Sequence, residues 1–237
     1  MINIVKDLAI LIRNSWKDLP GLEESGDNEF PVIHKETKRD NIYIFNEMYK
    51  CDGIRKAHLE ICKTGKLDVL HCVWFPDPKY NLPIFGADII ATPTMCTAAI
   101  VDVSPVHGSD IIHSKINKIS NKYIFKEHRV LPLWGEEIFS SQMKFVRLRD
   151  DKEMRQFHEV VLQYLKIYTS AIKVAKPDSN WINEMKRLDD QIWYCKSQKK
   201  NRKTSNVLSS WFTPQWADHY IETVLFDEPH ADIPSNK

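Results

Sequence analysis

The chain changes its hydrophobic period once, and that change limits the folds open to it. Between Asn41 and Val103, apolar residues fall in short runs: Asn41–Met48, His58–Cys62, Leu67–Phe75, Phe85–Ala91 and Ala98–Val103. These runs are bounded by turn residues and Pro-rich joints at Pro76–Pro83, Pro93 and Pro105, and they read as strands. Later, Asp151–Lys173 places Phe157, Val160, Val161, Tyr164, Leu165 and Tyr168 at helical spacing. Asn180–Gln198 and Thr213–Phe226 read the same way. Residues 1–18 predict an amphipathic helix, interrupted by Lys6, Asp7 and Arg13 and followed by no small-residue cleavage site, so it does not read as a signal peptide. Gly21 to Glu29 predicts an acidic loop. Strands followed by helices predict an α+β fold with helices covering an antiparallel sheet. No linker divides the halves, so one domain over residues 1–237 is expected.

Composition removes several functional classes. A net charge of +1 gives no global field selecting nucleic acid or membrane. Five cysteines without a C-x-x-C pair argue for reduced thiols in a cytoplasmic protein, and against structural zinc or an iron–sulfur cluster. There is no membrane-length apolar run, no G-x-G-x-x-G, no Walker loop and no G-x-S-x-G. With seven glycines in all, little room is left for a dinucleotide loop. The expectation is a chain without metal or resident cofactor.

The candidate chemistry lies in one hairpin. A two-residue Thr64-Gly65 turn would set His58 opposite His71 and Glu60 opposite Val69. Alternation then puts His58, Glu60 and His71 on one face, with Leu59, Ile61, Leu70, Cys72 and Trp74 on the other. The polar face is either a solvated surface with incidental histidines or a set of titratable groups with displaced pKa values. Asp88, inside the apolar run Ile84–Ile90, sharpens the question. A charge in such a strand costs several kcal/mol unless paired. It is either bound to backbone or shares a proton with a histidine on the next strand, and Gly86 beside it permits close approach of another group.

At this point the chain resembles a known family. His58-Leu-Glu60, the stretch from Leu70-His71 through Phe-Pro-x-Pro and Leu-Pro-Ile-Phe-Gly to Asp88, and Ala98-Ala-Ile-Val-Asp102 resemble the ferredoxin-dependent bilin reductases. Arg129-Val-Leu-Pro-Leu-Trp134-Gly, the segment from Tyr194-Cys to Asn201-x-Lys203-Thr, and Tyr220-x4-Leu-Phe-Asp227 extend the resemblance over residues 45 to 227. It implies a three-layer α/β/α sandwich with a central antiparallel sheet. It also implies four-electron reduction of biliverdin IXα to phycocyanobilin, with electrons from a 2Fe-2S ferredoxin and no bound cofactor, in a cytoplasmic monomer. Asp88 and His71 match the pair that passes a proton to the substrate, His58 a supporting histidine, and Glu60 the carboxylate that protonates a vinyl group. Arg129 and Lys203 match the residues that hold the propionates, with Asn201, Trp134 and Thr97 as further substrate contacts. A sister specificity giving phycoerythrobilin, and a non-catalytic bilin carrier, remain as alternatives.

The basic run from Lys196 to Lys203 carries five positive charges and has several readings. It can be a helix end favoured by the dipole, a nucleic-acid contact without an accompanying motif, or, as the resemblance implies, a ferredoxin dock through Lys196, Lys199 and Lys200. Most of Trp134, Trp193, Trp211 and Trp216 read as core, and only Trp134 sits in a matching motif. His107, His113 and His128 read as surface. The chain departs from the family at Arg202, where an acidic residue is usual, and at Thr92–Thr97, which replaces a Gly-rich loop. If Arg202 lay close to His58, it would depress that histidine's pKa.

Overall fold

The computed structural model describes residues 2–26, 28–38 and 40–230. Their centre is a nine-stranded antiparallel sheet: β1 (Glu23–Glu24), β2 (Val32–Glu36), β3 (Asn41–Cys51), β4 (Ile54–Lys63), β5 (Asp68–Pro76), β6 (Ile84–Ala91), β7 (Cys96–Ser104), β8 (Glu127–His128) and β9 (Lys144–Leu148). The order is β1-β3-β4-β5-β6-β7-β9-β8, with β2 also paired to β3. From β3 to β7 each strand lies beside the next in sequence, so the sheet centre is a meander. Seven α-helices flank it: α1 (Ile4–Trp16), α2 (Asp110–Ser120), α3 (Leu133–Glu136), α4 (Asp151–Val174), α5 (Trp181–Gln198), α6 (Arg202–Trp211) and α7 (Pro214–Tyr220). A π-helical turn, Ile221–Leu225, continues α7.

Two apolar cores, one on each sheet face, produce the expected α/β/α sandwich. Leu8 and Ile12 of α1 and Phe157, Val161, Leu165 and Tyr168 of α4 pack on Leu59, Leu70, Trp74 and Ile89. Trp74 is fully buried there, stacked 6.0 Å from Trp16 and edge-on to Phe85 at 5.6 Å. On the opposite face, Tyr194, Leu208, Tyr220 and Leu225 from the later helices cover Ile44, Met48, Val73 and Phe75. Five of the seven helix starts are capped by short polar side chains: Asn3, Asp150, Asn180, Asn201 and Thr213 each accept a first-turn N–H. Glu153, buried in the first turn of α4, accepts the backbone N–H groups of Lys126 and Arg149.

The hairpin differs from its predicted register. The β4–β5 connection is a four-residue turn, Thr64–Leu67, closed by Thr64 N–H donating to the Leu67 carbonyl at 2.8 Å. Asp40, from the neighbouring β2–β3 loop, accepts the Gly65 N–H at 2.7 Å and stabilises the wider turn. His58 therefore pairs with Val73, and Glu60 pairs with His71. The slip is two residues, so every side chain keeps its face. Two further differences concern the ends of the chain. The acidic loop contributes the short β1, and the segment expected as one helix over Thr213–Phe226 is α7 followed by the π-helical turn.

Candidate active site

The register aligns the polar residues in a row across four strands. Asn46 of β3 pairs with Glu60 of β4, Glu60 with His71 of β5, and His71 with Asp88 of β6. His58 lies one pleat away on β4, and its ring centre is 5.8 Å from that of His71. All five face the layer formed by α5, α6 and α7.

Asp88 and His71 form the pair expected of them. Asp88 Oδ1 accepts from His71 Nδ1 at 2.6 Å. Burial alone would lower the His71 pKa, but the Asp88 charge and hydrogen bond, with Glu60 nearby, overcome it and raise the value. His71 Nε2 is buried and has no hydrogen-bond partner among the described residues. His58 behaves in the opposite way. It is fully buried, and burial, the Lys56 charge and His71 hold its pKa well below the usual histidine range. The depressing cation is Lys56 on the same strand; Arg202 lines the cavity described below.

Hydrogen-bond polarity around Asn46 fixes the state of its neighbours. Asn46 Nδ2 donates to the Phe30 carbonyl at 2.7 Å, so Oδ1 faces the site as a pure acceptor. His58 Nε2 lies 2.8 Å from that oxygen and must carry its proton. Tyr220 Oη lies 2.9 Å from the same oxygen and 2.6 Å from Glu60 Oε2. Burial raises the Glu60 pKa, against the Tyr220 hydrogen bond and the His71 charge. Burial also pushes the Tyr220 phenol well above its ordinary value.

The C-terminal segment is tied down beside His58. Lys56 Nζ donates to the Val224 carbonyl at 2.6 Å and to Asp227 Oδ1, while Arg55 reaches Asp227 Oδ2 at 2.5 Å and the Asp227 carbonyl at 2.9 Å. Despite burial, the two cations hold the Asp227 carboxyl below the usual range. Lys56 itself is lowered by burial, with Asp227 opposing. The π-helical turn lets Tyr220 at one end reach Glu60 while Phe226 beyond the other sits edge-on to His71 at 5.6 Å.

Above the row lies a cavity of about 660 Å³. Glu60 and Asp88 line its floor with Cys62, Val69, Ile90 and Ile100. Its walls carry Trp134, Trp211, Phe139 and Phe145, and its cations are Arg129, Lys200, Arg202 and Lys203. An apolar slot with two floor carboxyl groups and a cationic wall suits a flat, conjugated, anionic ligand. No group of three or more His, Cys, Asp or Glu gathers at metal-binding distance among the described residues.

The predicted residues fall into three groups. Glu60, Asp88, Arg129, Trp134, Asn201, Lys200 and Lys203 line the cavity; His71 and His58 stand beside and behind its floor. Thr97 departs from its expected place. It is not among the lining residues; its hydroxyl donates to the Ile90 carbonyl and its own carbonyl accepts from Arg129 Nη1 at 2.5 Å, so it orients Arg129. Asn201 also caps α6, accepting the Lys203 N–H at 3.2 Å. Of the basic run, Lys196 is exposed, Lys200 is exposed and pairs with Glu137 at 3.5 Å, and Lys199 is half-buried and pairs with Glu222 and, at 3.0 Å, with Glu228. None of these four tryptophans is core: Trp134 and Trp211 line the cavity, Trp216 is half-buried, and Trp193 is exposed beneath the Lys200 ammonium. His128 is exposed as expected, whereas His107 and His113 are half-buried and bonded to Asn183 and Ser109. Asn46, Tyr220, Lys56 and Asp227 are the functional neighbours to which no role was assigned from sequence. Asn46 had the same signal as Asp88, a polar side chain among inward Ile42, Ile44 and Met48.

The fold, the row of proton-bearing groups and the cationic cavity define a reductase of linear tetrapyrroles: the chain belongs to the ferredoxin-dependent bilin reductase family, whose model matches residues 10–227. Within that family it is similar to phycocyanobilin:ferredoxin oxidoreductase of Synechococcus sp. (strain CC9902), 44% identical over 231 residues that cover 95% of this chain and 93% of the relative. The enzyme of the same name from Prochlorococcus marinus (strain MIT 9303) is 41% identical, with 95% and 87% covered. Among solved structures, phytochromobilin synthase from tomato, determined in complex with biliverdin, shares the fold with a TM-score of 0.78 at 16% identity, covering 94% of this chain and 82% of that one. No helix among the described residues is long and apolar enough to cross a membrane.

Proposed function

We propose that the chain reduces biliverdin IXα to phycocyanobilin with four electrons delivered singly by a 2Fe-2S ferredoxin and four protons delivered by its own side chains. The observation that carries this reading is the Glu60–His71–Asp88 row on the floor of an apolar cavity with cations in its wall. Each electron enters the conjugated bilin and makes it a stronger base. The Glu60 carboxyl lines the cavity and can neutralise that charge directly, and the His71 imidazolium, hydrogen-bonded to Asp88 on the cavity floor, can do so through that carboxyl group. Each proton given leaves a neutral imidazole or a carboxylate, which is recharged from solvent before the next step. His71 and Glu60 are close enough to titrate together rather than separately. Arg129 and Lys203 bind the two propionates, Trp134 and Asn201 bound the ring system, and Lys196 and Lys200 steer the acidic ferredoxin. Lys199, neutralised by Glu222 and Glu228, contributes to holding α5 against the C-terminal segment. The chain acts as a cytoplasmic monomer without a resident metal or flavin.

Anaerobic incubation with biliverdin, reduced ferredoxin and its reductase tests this. Phycocyanobilin as the chromatographed product is expected. Loss of conjugation at the 10–15 bridge would instead give phycoerythrobilin, and binding without bleaching would mean a carrier.

A further inference from the structure

Asn46 holds two neighbouring proton sites through one atom. Its backbone is laced into the segment before β2: the Asn46 N–H donates to the Pro31 carbonyl at 2.9 Å, and the Asn46 carbonyl accepts from Asn28 Nδ2 at 3.0 Å. Its side-chain amide cannot flip, because the Phe30 carbonyl accepts only and lies 2.7 Å from Nδ2. The side chain is also buried, so its oxygen has no competing bulk solvent.

That oxygen orders the hydroxyl between it and Glu60. Tyr220 has a single proton and two oxygen neighbours, Asn46 Oδ1 at 2.9 Å and Glu60 Oε2 at 2.6 Å. If Glu60 were ionised, Tyr220 would donate to it, and the phenol oxygen would face Asn46 Oδ1 lone pair to lone pair. If Glu60 carries a proton, it donates to Tyr220, Tyr220 donates to Asn46, and every oxygen in the chain is satisfied. The same oxygen accepts from His58 Nε2.

We infer that Asn46 is a positioning residue for proton delivery: its amide oxygen, anchored through Phe30, keeps Glu60 as the proton-carrying acid and His58 as the neutral Nε2–H tautomer. The groups facing Glu60 fit this assignment. Asp88 opposes its ionisation and burial does so more strongly, while His71 and the Tyr220 hydrogen bond favour it. Around His58, Lys56 on its own strand and His71 on the next both oppose a second proton. One neutral amide thus separates the roles of two adjacent donors. Glu60 holds a transferable proton, and His58 does not. The catalytic meaning of this rests on the bilin reduction proposed above; the measurements below do not, because they need neither bilin nor ferredoxin.

The test is infrared difference spectroscopy of the ligand-free protein at neutral pH. E60Q identifies the protonated-carboxyl band of Glu60 in the wild type. In N46L, Tyr220 loses its acceptor and turns its proton to Glu60, so the band is lost. In N46L/Y220F no donor remains to stabilise the carboxylate, and the band returns. Retention of the band in N46L, or its continued absence in the double variant, overturns the inference, since simple loosening of the fold would not be reversed by a second deletion. If N46L does not fold, the nitrogen-15 shifts of wild-type His58 decide: a neutral ring with Nε2–H is expected, and a charged ring or an Nδ1–H tautomer overturns it.

Discussion

Asp88 and His71 are cross-strand partners joined by a 2.6 Å hydrogen bond between Oδ1 and Nδ1. The carboxylate supplies the charge that raises the pKa of the buried imidazole against its burial. In D88N the hydrogen bond can persist while the charge is gone, so the His71 midpoint should fall. Biliverdin binding should survive, because the cavity walls are untouched, and reduction should stall early. Histidine NMR titration of the ligand-free variant checks the first expectation and the optical spectrum the second. An unmoved His71 midpoint would show that another group holds the proton.

E60Q keeps the shape of the floor and removes the acid that faces the cavity. It should still accept electrons and stop at a partly reduced bilin. Full conversion to phycocyanobilin by E60Q would sink the assignment of Glu60 to the vinyl step.

His58 gives the fold a specific sensitivity to acid. Its pKa in the folded chain lies well below the value of about 6.5 that an unfolded histidine has. As pH falls through that value the unfolded chain takes up a proton and the folded chain does not. The stability present above about pH 6.5 is therefore lost on acidification, by at most about 1.4 kcal/mol per pH unit. His71 acts with the opposite sign: its raised value gives stability below the unfolded midpoint that is lost as pH rises through the folded one. Urea titrations at pH 5.5 and 7.5 should show H58Q losing less stability on acidification than wild type. Equal losses would remove His58 from the account.

The pairing of Lys56 with Asp227 predicts non-additive energetics. K56M deletes a buried cation and a donor to the Val224 carbonyl, and should cost about 3 kcal/mol. K56M/D227N, which removes both charges of the pair, should cost less than the sum of the single changes by more than about 0.5 kcal/mol. Simple additivity in denaturant unfolding would mean that the two charges do not depend on each other.

Among the basic residues, exposure divides those proposed to dock ferredoxin from the one that holds the fold. K196A and K200A should raise the Michaelis constant for ferredoxin at low ionic strength, with the difference fading as salt is added. K199A should leave that constant nearly unchanged and lower thermal stability, since Lys199 already serves Glu222 and Glu228. A salt-sensitive effect confined to K199A would reverse this division.

Alternation was the most legible part of this molecule. Ile42, Ile44 and Met48, or Leu59 and Ile61, announce their faces, and the parity of His58, Glu60 and His71 survived an error in the turn because a two-residue slip restores the same side. The partnership of Glu60 with His71 was not legible, since it depends on whether Asp40 braces a four-residue loop, a contact made across 25 positions. The long helices were read within a residue or two from apolar spacing. α2, α3 and α6, and the strands β2, β8 and β9, were not legible: α2 and α3 are short and follow prolines, α6 begins inside a run of cations that resembles a helix end, and the three strands have five residues or fewer. Lys56, Tyr220 and Asp227 had no readable role, because their partners lie 160 residues or more away.

The meander from β3 to β7 gives the site a history as well as a geometry. His71 and Asp88 are 17 residues apart, and Asn46 and His58 are 12 apart, so these contacts belong to neighbouring hairpins that a growing chain can close early. Tyr220 reaches Glu60 across 160 residues. Without the helix that carries Tyr220 the floor would be complete in outline but open to water, and Glu60 would lose the side chain that covers it. The acid assigned to Glu60 therefore depends on a contact between distant parts of the chain, and a change that only loosened the docking of that helix would reach the site without altering any residue of its floor.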